Sequence, residues 1–212
     1  GGLWIHPGAM FPFDQYVDHL PLLESAFTRG SHVRPDVKGI LGDWPCAVLP
    51  QEIEQGHMKA FFNFGGHIFR SFPHLNALHR ALPKLDLLVS TEIQHNELSD
   101  YATHILPTKA TVERNEFTRW DTLSWSVNLQ YAARLVKPMG DRRSAWWVIS
   151  QFMRRADLPV ANHVPVEHSD ENDDFMQGLL LTHARCSWEE LKEKRFIEFE
   201  HEFPAPWFDR LI

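Results

Sequence analysis

Cysteine is scarce in this chain. Cys46 and Cys186 are the only two, too few for a disulfide framework, a structural zinc site of several thiolates or an iron–sulfur cluster. No apolar run approaches the roughly 18 residues that read as a membrane-spanning helix. Positive charge is in deficit: 21 Lys and Arg stand against 28 Asp and Glu, a formal net charge of −7. That removes nucleic acid as the default partner, because phosphate backbones recruit net basic surfaces. Several loop signatures are missing as well. There is no Gly-x-Gly-x-x-Gly, no phosphate loop ending in Gly-Lys-Ser/Thr and no Gly-x-Ser-x-Gly nucleophile elbow. The opening residues, Gly1-Gly2-Leu3-Trp4, lack the basic and apolar regions of a signal peptide. Either the start is processed or, the reading preferred here, the chain is a piece of something longer, whose own start carries no address; the setting expected is cytoplasmic.

What is present is aromatic. Eight Trp and 15 Phe in 212 residues mean a large apolar area to bury, in one large domain or two small ones. Residues 1–45 are punctuated by Pro and Gly and are expected to be an irregular segment, with a helix possible only over 14–29. Pro50 suits a first helical position, which predicts a short helix over 50–56. Regularity then sets in. Lys59-Ala60-Phe61-Phe62-Asn63-Phe64 reads as a buried strand ending at Gly65-Gly66. Ser71 followed by Phe72-Pro73 starts a helix carrying Leu75, Leu78 and Leu82. Leu85 to Ser90 is a second strand, Glu97 to Tyr101 one or two helical turns, and Thr103 to Leu106 a third strand stopped by Pro107.

This order predicts an α/β fold. A three-layer, Rossmann-like parallel sheet, incomplete at about three to four strands, is flanked by irregular aromatic-rich N- and C-terminal segments. Residues 108–137 read as an antiparallel edge or an extended loop. Ser144 opens a helix to about Asp157 that buries Val148, Ile149, Phe152 and Ala156. The acidic run 167–174 is a linker whose carboxylates form a solvated cap on a helix over 172–184. Ser187-Trp188-Glu189-Glu190 matches a capping box, and the tail from Phe196 lies on another surface. The domain division expected is an N-terminal segment 1–45, an α/β domain 46–160, and a linker, helices and tail over 161–212.

Glycines between a buried strand and a helix let backbone N–H groups approach a phosphate; a plain turn has the same signature. Glu92, with Thr91 beside it, ends the second strand, where a carboxylate can accept from ribose hydroxyls or a base edge; an ordinary loop carboxylate fits equally. Thirteen histidines invite a metal reading. No His-x-x-x-His accompanies a helical Glu, however, and His74 and His79 lie on different faces of one helix. His67, His95 and His104 each fall near a strand end.

Taken together, residues 59–114 resemble the large catalytic subunits of molybdopterin-dependent oxidoreductases, the dimethyl sulfoxide reductase and formate dehydrogenase superfamily. That family runs apolar strand, Gly-x-Asn-Pro, helix, a Leu-Asp-x-x-Val strand, Thr-Glu-Thr-Ala-x-x-Ala-Asp-Val-Val-Leu-Pro, then Glu-Lys-x-Gly. The matching residues are Ala60 to His67, Leu85 to Glu92, Asn96 to Pro107 and Val112 to Asn115. Flanking likeness at Val37–Ile53 and Lys137–Trp147 extends the resemblance over most of 33–158. It implies an α/β domain holding the guanosine diphosphate arm of molybdopterin guanine dinucleotide, with Mo or W in the full-length enzyme. By position, Gly65, Gly66 and His67 lie along the diphosphate or guanosine, Thr91 and Glu92 meet the guanine or its ribose, and Arg114 stands in a lysine's place. The chain departs from the family pattern at His67, Glu92, Thr103 and Ala145, and in having no glycine after Arg114.

The family's metal ligand, cluster cysteines and C-terminal β-barrel are absent from these 212 residues, so this chain alone should not turn over substrate. The expected function is a segment supporting two-electron redox chemistry, with formate oxidation as the reaction of the most similar branch. The alternative is a non-catalytic scaffold or interaction module derived from that domain, with a decayed cofactor pocket; a His-metal hydrolase is a remote third. Expected partners are the remaining oxidoreductase domains or a homodimer mate, since a thin parallel sheet leaves apolar surface exposed.

Overall fold

In the computed structural model, residues 27–28, 30–37, 39–40, 44–118, 126–156, 171–182 and 184–200 are described. They divide into two units, one built from 22–109 with 139–145, the other from 110–138 and 146–200. The architecture is mixed α/β, with a three-stranded parallel sheet in the first unit and a small antiparallel sheet in the second.

The first unit opens with a two-residue ladder, β1 (Phe27–Thr28) against β2 (Gly39–Ile40). Phe27 and Thr28 thus correct the helix expected over 14–29: an aromatic and a β-branched residue suit a strand. The rest of that helix lies outside the described residues. Helix α1 (Leu49–Glu54) has Pro50 in its first turn, where a missing N–H costs nothing. It packs ahead of β3 (Ala60–Phe64), α2 (Ile68–Ser71), α3 (Leu75–Ala81), β4 (Leu87–Glu92) and β5 (His104–Pro107). The strands run β3-β4-β5, all parallel. Alternation of side chains along a strand separates two faces. Phe61 and Leu88, partners in register, join Leu49, Ile53, Phe69, Leu78 and Leu82 in one apolar cluster, so the three helices cover that face. Phe62 and Val89 face the other way, and the Phe62 and Phe64 rings stack at 6.2 Å. Phe64, Ile93 and Leu106 remain exposed.

Two details of this unit differ from the reading of the sequence. Ser71 does not open α3, since it closes α2. The residue before α3 is His74, at φ 60 and ψ 49, and its carbonyl accepts from the N–H groups of Ala77 and Leu78. Glu52, 1% exposed, is a buried carboxylate on α1. Its Oε1 accepts from the Val33 N–H at 2.8 Å. Burial pushes the Glu52 carboxyl up, but the Val33 and Ser31 hydrogen bonds and the nearby His32 and His57 outweigh that and hold it below the usual range. The segment 139–145 returns to the sheet, where Arg143 bridges in parallel to Thr108 and its N–H donates to the Pro107 carbonyl at 3.1 Å.

The second unit holds β6 (Glu116–Phe117), β7 (Val127–Ala132), α4 (Ala145–Arg155), α5 (Asp173–Leu180), α6 (Trp188–Lys194) and β8 (Phe196–Phe199). Strand β7 is central and antiparallel to both neighbours. The antiparallel reading of 108–137 therefore holds, but Phe196–Phe199 is a strand rather than a segment lying on another surface. Val127, Leu129 and Tyr131 alternate onto one face and meet Trp188, Leu191, Phe117 and Leu181. Trp188 packs 5.2 Å from the Tyr131 ring and 6.2 Å from Phe117. Ser187 caps α6 by accepting from the Glu190 N–H at 3.1 Å, while the Glu190 carboxylate pairs with Lys194 instead of closing the box.

The acidic start of α5 is likewise more than a solvated cap. Asp173 accepts from the Trp146 indole at 3.0 Å, and Asp174 takes the Asn115 amide at 2.8 Å and faces Lys192 at 3.4 Å. On α4, Val148 and Ile149 are half-buried, and Phe152 and Ala156 are exposed. Helical periodicity identifies an apolar face without supplying its cover. Burial, with Glu190 adding to it, pushes the Cys186 thiol up and keeps it protonated.

Candidate functional site

Parallel strands place their carboxyl ends side by side, and loops leaving those ends are where α/β sheets bind ligands. Here β3 and β4 pair with Asn63 opposite Ser90 and Phe64 opposite Thr91. Beyond them come Gly65-Gly66-His67 on one strand and Glu92 on the other. A single amide nitrogen ties the two together: Asn63 Nδ2 donates to Glu92 Oε1 at 3.0 Å and to the Gly66 carbonyl at 3.3 Å. Ser90, fully buried, points its hydroxyl at the same Glu92 oxygen, at 3.5 Å. Period-two geometry puts Ser90 and Glu92 on one face of β4, and the register adds Asn63 to that face.

Gly65 and Gly66 both take positive φ, 77° and 83°, a conformation that glycine adopts without the Cβ clash of other residues. A Cβ built on either would meet nothing within 4 Å, so their backbone borders open space. His67 follows and starts α2, its carbonyl accepting from Arg70 and Ser71. Its Nδ1 is enclosed and has no hydrogen-bond partner among the described residues, which is uncommon for a buried polar atom. Both hydrogen bonds of Glu92 fall on Oε1, leaving Oε2 without a protein partner among the described residues.

Four of the six residues singled out in the sequence, Gly65, Gly66, His67 and Glu92, thus converge at one sheet edge. Thr91 supports them from within: 1% exposed, it donates its hydroxyl to the Asn63 carbonyl at 3.1 Å. Arg114 belongs to the second unit, where its Nε donates to Glu116 Oε2 at 2.8 Å. Sequence reasoning missed Asn63 and Ser90. The signal was there in Asn63, a polar amide inside an otherwise apolar strand. It also missed Arg142, whose Nη2 donates to the Ile93 carbonyl at 2.8 Å and sets a guanidinium on the loop after Glu92. Among the described residues no group of three or more His, Cys, Asp or Glu side chains could hold a metal ion. No described helix is long and apolar enough to cross a membrane.

A family model for molybdopterin oxidoreductases matches residues 42–155, more than half of the chain. The chain belongs to the molybdopterin oxidoreductase family. Among curated relatives, the NADPH-Fe(3+) oxidoreductase subunit alpha of Geobacter sulfurreducens is 31% identical over 120 residues, 56% of this chain and 14% of that protein. The formate dehydrogenase-like YrhE of Bacillus subtilis (strain 168) is 27% identical over 141 residues, 66% of this chain and 14% of that protein. Acetylene hydratase from Pelobacter acetylenicus superposes with a TM-score of 0.57 at 16% identity, covering 76% of this chain and 22% of its own. That likeness shows a shared fold. This molybdopterin oxidoreductase chain spans about a seventh of the length of the curated relatives it matches.

The family implies a molybdopterin cofactor with Mo or W, and the sheet edge can be tested for fit to such a group. An orphaned enclosed imidazole nitrogen, a carboxylate oxygen without a partner and two glycines bordering open space are what a polar, phosphate-bearing ligand would complete. The residues fit.

Proposed function

We propose that this chain is the part of a molybdopterin oxidoreductase catalytic subunit that holds the guanosine diphosphate arm of molybdopterin guanine dinucleotide. In this reading the parallel sheet is a Rossmann-like layer, and residues 46–160 form the dinucleotide-binding segment. The observation that carries it is the Asn63 amide, which joins the diglycine loop to Glu92 while His67 Nδ1 and Glu92 Oε2 have no partner among the described residues.

Each residue has a physical role. Gly65 and Gly66 let the main chain come close to the diphosphate, where any side chain would intervene. His67 Nδ1 takes a hydrogen bond from, or gives one to, the phosphate or ribose. Glu92 Oε2 accepts from guanine, whose N1–H and amino group offer two adjacent donors, or from the ribose hydroxyls. Thr91 and Asn63 hold that carboxylate in place. When bound, the cofactor supplies two-electron redox chemistry at molybdenum or tungsten. The likeness to YrhE favours formate oxidation as the overall reaction. The metal ligand and electron-transfer centres then come from the remaining domains of the enzyme, in a cytoplasmic setting.

Isothermal calorimetry of the 212-residue chain with GDP tests the reading. Saturable heat is expected for the parent, with affinity reduced about tenfold or more in Glu92→Ala, the cost of losing a charge-assisted acceptor. ADP, whose base presents a single amino donor in place of that pair, should bind more weakly. Absence of heat from GDP in both proteins would overturn the proposal and favour the scaffold reading.

A further inference from the structure

Helices α1 and α3 of the first unit leave between them a cleft of about 540 Å3 that shares no residue with the diglycine site. Its volume lies inside the range of about 300–1,000 Å3 common for small-molecule sites. Pro50 and Leu75 supply an apolar side, Leu75 being 43% exposed. Gln51, His74, Asn76 and Arg80 supply the polar side.

The neutral polar groups are uncommitted. No side-chain hydrogen bond engages Gln51, His74 or Asn76 among the described residues. Among the described residues Arg80 meets Glu54 alone, its Nε 3.8 Å from Oε1 and beyond hydrogen-bond distance, and Glu54 is shared with Lys84 at 4.0 Å. Arg80 is the one formally charged residue that lines the cleft, and its sign is opposite to the chain's net charge of −7. His74 adds a second indication. It holds a left-handed backbone, φ 60, that glycine would adopt more easily. What histidine brings to that turn, and glycine would not, is an imidazole at the cleft.

We propose that this cleft is a second ligand site, for a small oxyanion borne on an apolar body: an aryl or alkyl phosphate or carboxylate. Arg80 neutralises the charged head, the Gln51 and Asn76 amides and the His74 ring donate hydrogen bonds to it, and Pro50 and Leu75 take the body. The site stands apart from the nucleotide reading and does not depend on it.

Proton–nitrogen NMR of the 212-residue chain tests this, with phenyl phosphate and benzoate titrated separately and benzyl alcohol as the neutral probe. Saturable shifts of the Gln51 and Asn76 side-chain amides are expected with at least one anion and not with the alcohol. The tighter of the two anions identifies the head group. Arg80→Gln should weaken binding about tenfold, as removal of a charge-assisted contact does. His74→Gly relaxes the backbone, and should raise the melting temperature while weakening the anion several-fold. That pairing of effects is one a purely structural histidine would not produce. The proposal is overturned by any of three results: no saturation with either anion up to about 10 mM, an equal response to benzyl alcohol, or parental affinity in Arg80→Gln.

Discussion

In the parallel sheet, β3 reaches β4 through α2 and α3, and β4 reaches β5 through a 3-10 turn at Glu97–Asp100, so paired strands lie within one short stretch of chain. In the antiparallel sheet, Val127 pairs with Phe199, with α4, α5 and α6 intervening. The parallel sheet is therefore assembled from local closures, with 139–145 returning only to its rim, and the antiparallel sheet depends on one long-range pairing, which costs more chain entropy before it returns any contact. Both units hold buried polar atoms without a hydrogen-bond partner among the described residues, His67 Nδ1 in the first and Gln151 Nε2, Gln177 Oε1 and Trp188 Nε1 in the second. The first unit leaves His67 Nδ1 and Glu92 Oε2 open at a sheet edge. The second spends Asn115, Asp174, Tyr131 and Lys192 on one another, which clamps α5 to the strands.

The sharpest way to break this comparison is to remove the anchor of the second unit. Trp188→Ala deletes an indole that is 2% exposed and should cost about 3–5 kcal/mol. Thermal unfolding should then split in two, with the second unit melting first. A single transition displaced as a whole would mean that both units fold as one, and the contrast between them would fail.

A smaller effect is expected in the first unit from Glu52→Gln. It removes an ionised acceptor of the Val33 N–H and Ser31 hydroxyl and should cost about 1–3 kcal/mol. The sign of its pH dependence follows from a carboxyl whose pKa falls on folding. Its contribution is present above the unfolded glutamate value of about 4.3 and is lost as pH drops through the lower folded value. The melting-temperature gap between parent and Glu52→Gln should accordingly close on acidification below about pH 4. A gap that is constant from pH 7 to about 3 would show that the carboxylate's charge contributes nothing.

The smallest change sharpens the picture of the second unit. Ser187→Ala removes the cap of α6, worth about 1 kcal/mol, because the Glu190 N–H loses its acceptor. Circular dichroism melts would register this as a modest shift, several-fold below that of Trp188→Ala.

The same difference between local and distant pairing explains what could be read in advance. Strands 60–64, 87–92 and 104–107 fall within two residues of expectation, because each carries its own apolar run and its own stop at Gly65, Glu92 or Pro107. Gly65, Gly66, His67 and Glu92 were legible as an edge constellation, since the strand ends that carry them were legible. Asn63 and Ser90 were not. Their role appears only once the register sets them opposite each other beneath Glu92. Phe196–Phe199 was unreadable as a strand for a related reason: its pairing partner lies far back in the chain, and its aromatic, proline-bearing context suggests a loose tail. The αL turn at His74 was hidden because the local pattern at Ser71-Phe72-Pro73 offers a more familiar helix start.

The end of β5 has a consequence for solubility. Pro107 has no N–H to offer an incoming strand, and just past it Thr108 is bridged by Arg143. That flank is thereby blunted against templating of further chains, the route by which open sheets nucleate fibrils. The opposite flank, β3, has no such guard among the described residues. A charged residue at Phe64 or Ala60 is where a gatekeeper would be engineered.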